Sequence, residues 1–267
     1  MNLLKKSNFV RRETLKIHKI LPETRIASSL SCVEIYVALF YGKIIKFNPK
    51  KPNDEDRDRF IISKGHGAIS LYPILADLGF FDKRELKNVG KNFLGSIPDP
   101  IIPGIETVNG SLGNGLGIGC GISLALRTKK SLRNVIVLGG DGELYEGSVW
   151  EAIMFASHHQ LDNLTFIIDN NKVSMLDYCK NIIDLDPITD KFKSFNWDVY
   201  EIKKGNDVFS VYETFKEVIP KRNGKPKVII VETIKGKGVP FLEKSRLSHV
   251  LTIPASQIDK YIEEFNK

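Results

Sequence analysis

Asp141 stands inside Gly139-Gly140-Asp141-Gly142, where the apolar run "VIVL" stops, and thirty residues further on a second run, "LTFII", stops at Asp169-Asn170-Asn171. A carboxylate and a side-chain amide oxygen are hard ligands, suited to magnesium or calcium rather than to zinc. Magnesium takes only one or two carboxylates and fills its octahedron with phosphate oxygens and water. Gly139, Gly140 and Gly142 allow backbone N–H groups close to such a phosphate, and a helix starting just after them turns its positive end toward it. The chemistry these residues suit is a metal-bridged diphosphate. For either residue alone a plainer reading stays open, Asp141 as a helix cap and Asn171 as the end of a strand.

Such a site requires the two residues to meet. A helix from about Glu146 to Gln160 is about 21 Å long, and the strand "NLTFIID" is about 23 Å. The chain therefore runs out along one element and returns along the other. With parallel strands about 4.8 Å apart, Asp141 and Asn171 share the carboxyl edge of the sheet, where α/β proteins bind ligands. Strands and helices alternate elsewhere too: "FIIS" strand, "DKFKSF" helix, "WDVYEI" strand, "DVFSVYETFKEVI" helix, "KVIIVETI" strand and a closing helix after Pro254. This alternation predicts an α/β fold of three layers, a mostly parallel central sheet covered on both faces, in one domain over residues 1–267. Ser31-Cys32-Val33-Glu34 has the spacing of a capping box for "VEIYVALFY", and Asp82 and Glu85 repeat it. Residues 90–109 are proline-rich and read as a long loop of the kind that is commonly functional. In "GSLGNGLGIGCGISLALR", Gly117 and Gly121 lie four apart, so one helix face can pack closely on a neighbour.

Composition removes several classes of function. No stretch approaches eighteen apolar residues, and the start has no signal-peptide core, so the expectation is a cytoplasmic protein with no membrane span. Cys32, Cys120 and Cys179 are far apart and fit no zinc or redox spacing. The net charge of +7 suits an anionic ligand, but the cations are dispersed in pairs without interleaved aromatics, which argues against nucleic acid. Neither a P-loop nor a dinucleotide fingerprint is present.

"GDG" followed at this distance by "NN", together with "DRFIISKGHGAISLYPIL", "PGIETVNGSLGNGLGIGCGISLAL" and "ETIKGKGVPF", resembles the N-terminal, diphosphate-binding part of transketolase from about residue 10 to 265. The resemblance implies thiamine diphosphate with Mg2+ (or Ca2+) as cofactors. Asp141, Asn171 and the carbonyl of Val173 match its metal ligands, and Gly142 its diphosphate glycine. His66 and His249 match histidines at the diphosphate and the reacting centre, and are the candidate catalytic residues. Gly110 and Leu112 match the loop that meets the aminopyrimidine, Lys235 a further cation, and Glu146 and Glu151 acids near the subunit interface. Two positions depart from the family, where histidines contact the sugar or the reacting carbon: Arg25 and Ser96 stand there and become the candidate substrate contacts. In the family a second domain activates the pyrimidine, and this chain matches only the first. The resemblance thus implies a separately encoded pyrimidine-binding and C-terminal subunit, two copies of each chain (α2β2), and transfer of a two-carbon ketol unit from a ketose to an aldehyde, in the making of an unusual sugar. Two alternatives stand beside it: decarboxylation of a 2-keto acid with acyl transfer, and a non-catalytic subunit that keeps the fold.

Overall fold

The computed structural model describes residues 2–265, so the extreme ends of a domain drawn over 1–267 lie outside the described residues. In chain order the elements are α1 (Leu3–Ile20), α2 (Ile26–Ser31), α3 (Val33–Phe40), β1 (Arg59–Ile62), α4 (Tyr72–Leu78), α5 (Asn114–Thr128), β2 (Val135–Gly140), α6 (Gly147–His158), β3 (Leu164–Asn170), α7 (Cys179–Ile182), α8 (Ile188–Ser194), β4 (Asp198–Ile202), α9 (Val208–Val218), β5 (Lys227–Glu232), α10 (Pro240–Glu243) and α11 (Ala255–Glu264). The five strands form one sheet in the order β1-β2-β3-β5-β4, and every pairing is parallel.

Alternate residues of the strands serve opposite faces, as the two-residue period of a strand requires. Phe60, Ile62, Ile136, Leu138, Ile167, Ile229 and Val231 pack under α1 to α4 and α9 to α11. Ile61, Val135, Val137, Phe166, Ile168, Val228 and Ile230 pack under α5, α6 and α8. The result is helix layer, sheet, helix layer. β3 at the centre is buried along its whole length, each large apolar side chain there stabilising the fold by about 1.5–3 kcal/mol. Among the described residues no helix is long and apolar enough to cross a membrane. Cys32, Cys120 and Cys179 are free thiols, the first two buried.

The capping box expected at Ser31 and Glu34 does not form. Ser31 ends α2 instead of capping α3, which has no side-chain cap. Its hydroxyl donates to Asp169 at 2.6 Å, while Glu34 accepts both guanidinium nitrogens of Arg11 at 2.6 and 2.8 Å. Long-range ionic partners outcompete the local cap. Asp82 does cap, accepting from the Arg84 N–H at 2.8 Å, but the turn it opens is a 3-10 helix over 83–88 and Glu85 turns to Asn92 at 2.8 Å. The helix expected over 146–160 occupies 147–158, ending as the backbone reaches a positive φ of 50° at Gln160.

Gly117 and Gly121 are not packed on a neighbour among the described residues: a side chain added at either would meet nothing within 4 Å. They lie on the outer face of α5. Ile118 (38% exposed) beside them, and Met154 (49%) and Phe155 (40%) on the adjoining α6, leave an apolar stripe facing outward.

Candidate active site

β1, β2, β3 and β5 are neighbours, and each delivers functional residues from its carboxyl end: Ser63 to His66 after β1, Asp141 to Glu143 after β2, Asn171 to Val173 after β3, and Thr233 to Lys235 after β5. The register sets Gly140 beside Asp169 and Asn170 beside Glu232, so the turns begin level with one another. Three further segments close over this edge. α2 brings Arg25 and Ser28, the loop before α5 brings Gly110 and Leu112, and the segment after α10 brings His249. A cavity of about 260 Å³ lies between them, lined by Arg25, His66, Gly110, Leu112, Asp141, Gly142, Asn171, Val173 and His249. Nine of the sequence-predicted site residues thus converge on one cavity.

Asp141 is 6% exposed. One carboxylate oxygen accepts the Gly142 N–H at 2.8 Å, and the other accepts the Lys172 N–H. Burial, followed by the charge of Asp169, raises its pKa. A buried carboxylate in that position gains from a bound cation. The Asn171 amide is oriented from behind: its nitrogen donates to Asp169 at 3.1 Å, which turns Oδ1 the other way, where it accepts the Val173 N–H at 3.2 Å. Lys235 does not line the cavity. It stands behind it, 5% exposed, donating to the Val173 carbonyl at 2.6 Å and to Ser174 at 3.3 Å. Burial, then the charge of Lys64, lowers its pKa to about 8.

The rings of His66 and His249 meet edge to face, with centroids 4.9 Å apart. His249 Nδ1 lies 3.2 Å from Lys235 Nζ and 3.4 Å from the Ser28 hydroxyl. Burial is the main cause that holds both imidazoles neutral, reinforced by surrounding cations: Lys64 first for His66, and Lys235 first for His249, whose pKa falls to about 3. Neutral imidazoles beside a ligand cavity can donate or accept a proton without first losing one to water.

Three features of the site carry no motif signal. Lys64 (2% exposed) pairs with Asp169 (0%) in the interior; although burial alone would raise the Asp169 pKa, the Lys64 ammonium and the Ser31 and Thr233 hydroxyls hold it below the usual range. Glu143 ties three turns together, accepting from the Ser63 hydroxyl, from the Gly113 N–H at 2.8 Å and from the Gly140 N–H at 3.3 Å. Gly113 itself has φ 86°, a left-handed conformation natural to glycine. Ser28, at 0% exposure, is the third. The pairing of a buried acid with Lys64 of "KGHG" was the one legible hint, since a lysine between an apolar strand and a glycine turn needs a partner.

Ser96 is not brought in. It sits half-exposed in the 90–109 loop and does not line the cavity. Glu146 precedes the first turn of α6, and Glu151 is exposed on that helix's outer face. A second cavity, of about 360 Å³, shares Asp141 but neither histidine.

Among known proteins, residues 26–266 match the family model described as transketolase, thiamine diphosphate binding domain. The chain is 35% identical over 266 residues to an apulose-4-phosphate transketolase subunit of Actinobacillus succinogenes, covering 98% of this chain and 95% of that one. It is 32% identical over 278 residues to a 6-deoxy-6-sulfo-D-fructose transketolase subunit of Clostridium sp., covering 100% and 97%. In three dimensions it is similar to transketolase from Leishmania mexicana, with a TM-score of 0.89 at 25% identity, covering 100% of this chain and 42% of that one.

Proposed function

Because the chain belongs to the transketolase family, carrying its thiamine diphosphate-binding domain, we propose that it is the diphosphate-binding subunit of a two-chain enzyme that moves a two-carbon ketol unit from a ketose to an aldehyde. One observation carries this reading: turns from the three adjacent strands β1, β2 and β3, with the segment after α10, bring a buried carboxylate, an amide oxygen and two imidazoles to one cavity. Asp141, the Asn171 amide oxygen and the Val173 carbonyl would hold Mg2+, a donor set of hard oxygens suited to it. Gly142 would meet the diphosphate, Lys235 would brace the Val173 carbonyl from behind, and Gly110 and Leu112 would meet the rest of the cofactor. Thiamine diphosphate, when bound, supplies the carbanion chemistry that breaks and remakes a C–C bond. His66 and His249 lie where they can carry protons to and from hydroxyl and carbonyl oxygens.

The cavity rim supports a partner subunit. Met175, 56% exposed, lines it, and Ile97, 41% exposed, stands against Gly110. Leu247 (37%) and Val250 (40%) flank His249. An apolar rim round a ligand cavity is a surface made to be covered. Two relatives are themselves named as subunits of such enzymes. The proposed partner bears the pyrimidine-binding and C-terminal domains, and two copies of each chain meet in an α2β2 assembly in the cytoplasm. The outward stripe on α5 and α6, next to Glu146 and Glu151, is the place for the second copy. The whole of residues 1–267 acts as one diphosphate-binding domain in this scheme.

The test is the assembled complex with Asp141→Ala. Magnesium-dependent binding of thiamine diphosphate, followed by calorimetry, and ketol transfer should both disappear, while far-UV circular dichroism stays unchanged. Undiminished cofactor binding by the variant overturns the site assignment.

A further inference from the structure

Each cation at the cavity except one is committed. Lys64 is paired with Asp169 and is 2% exposed. Lys235 is bound to the Val173 and Ser174 carbonyls and to His249. Arg25 lines the same cavity, is exposed, and its guanidinium makes no hydrogen bond or ion pair with any described residue. Its backbone is nonetheless fixed. It begins α2, its carbonyl accepts the Ser29 N–H at 3.2 Å, and the next two residues, Ile26 and Ala27, are 0% and 1% exposed. A rigid base thus holds a free guanidinium at the opening, close enough to His66 and His249 for its charge to act on both.

Depth separates Arg25 from the cofactor's own contacts. Asp141 and Asn171 are 6% and 8% exposed, whereas Arg25 belongs to the mouth. A guanidinium presents two parallel N–H donors that match a phosphate or a carboxylate, and a neutral hydroxyl matches them less well.

Resting on the function proposed above, we infer that Arg25, at the cavity mouth, is a specificity-determining residue that takes up an anionic group of the substrate. Among the described residues that line the cavity the other lysine or arginine is Lys64, which is committed to Asp169.

The experiment uses the assembled two-chain complex loaded with Mg2+ and thiamine diphosphate, and titrates it calorimetrically with glycerol 3-phosphate, glycerate and glycerol. The wild-type complex is expected to bind one of the two anions and not glycerol, the phosphate and carboxylate arms showing which anion the site takes. Arg25→Gln should weaken that anion at least about tenfold and Arg25→Lys less, since a point charge keeps attraction but loses the fork. In turnover the same variants should raise KM for an anionic donor with kcat held within about twofold, the pattern of lost ground-state binding. The inference is overturned if wild type binds neither anion, if Arg25→Gln binds them as wild type does, if the variant instead loses the cofactor, or if it fails to assemble because Arg25 pairs with the partner. A wild-type complex that does not bind thiamine diphosphate at all would instead refute the proposed function itself.

Discussion

Glu34→Gln is the sharpest test of how the loop carrying Lys235 is held. Arg11 and Glu34 form a forked pair with side chains only 6% and 3% exposed. Arg11 Nε also donates to the Lys237 carbonyl at 3.3 Å. Glu34 also accepts from Asn206 at 3.1 Å, and Asn206 in turn accepts the Ile234 N–H at 2.8 Å. The substitution keeps the shape but leaves a guanidinium buried without its counter-charge, and a guanidinium cannot shed its proton. Removing one partner of a buried pair costs about 3–5 kcal/mol, and the retained amide acceptor places this change near about 3. With a urea m-value of about 3 kcal/mol/M, the midpoint should fall by about 1 M at unchanged m. Arg11→Met should cost less, about 1–2 kcal/mol, because the carboxyl keeps its Asn206 donor and can take up a proton. The double variant Arg11→Met/Glu34→Leu should recover to within about 2 kcal/mol of wild type. Urea unfolding of the full chain, followed by circular dichroism, measures all three. A midpoint for Glu34→Gln within about 0.3 M of wild type, or a double variant less stable than Glu34→Gln itself, would refute the claim that this pair is a coupled unit.

Further outcomes follow from other contacts. His18 is fully buried between Thr24 at 2.8 Å and Thr252 at 2.9 Å, and burial lowers its pKa from 6.5 to about 4 against a smaller opposing pull from Glu23. The unfolded chain therefore takes up a proton that the folded chain refuses. The contribution is complete above pH 6.5 and fades as pH falls toward 4, about 3 kcal/mol in all; a pH series of unfolding midpoints should show this slope, and His18→Gln should flatten it. Gly113→Ala sets a Cβ 2.6 Å from the Ser148 hydroxyl at φ 86°, and should cost about 1–2 kcal/mol while weakening cofactor affinity of the complex, since Leu112 is carried on the same turn. Asp169→Asn leaves Lys64 with only the Ser28 carbonyl at 3.4 Å; a loss of about 3 kcal/mol is expected, together with weaker cofactor binding because the Asn171 amide loses its orienting acid. An unperturbed unfolding midpoint there would contradict the pairing.

The strand, helix and strand that bring Asp141 beside Asn171 were legible because their periods and lengths are local properties, and the parallel register bears them out. The face-by-face alternation of β2 and β3 is likewise written in neighbouring residues. The errors lie where a side chain's partner is distant. Ser31 and Glu34 have the spacing of a cap, yet Asp169 lies 138 residues from the one and Arg11 lies 23 from the other. Lys64 and Asp169 each look like strand-end polar residues until the sheet sets them together. His18 gives no sign in its own helix that it holds Thr252, 234 residues away. Gly117 and Gly121 do form a small-residue face, but no neighbour for it lies among the described residues.

That bare face of α5 bears on how the protein is made. With Ile118, Met154 and Phe155 left in water beside two glycines, newly synthesised copies present a sticky surface until they are joined. The proposed cover is a second copy of the same chain, so the face should be hidden as the chain's own concentration rises and bared on dilution: a cell that makes too little of it would lose a larger share of each batch to aggregation or degradation.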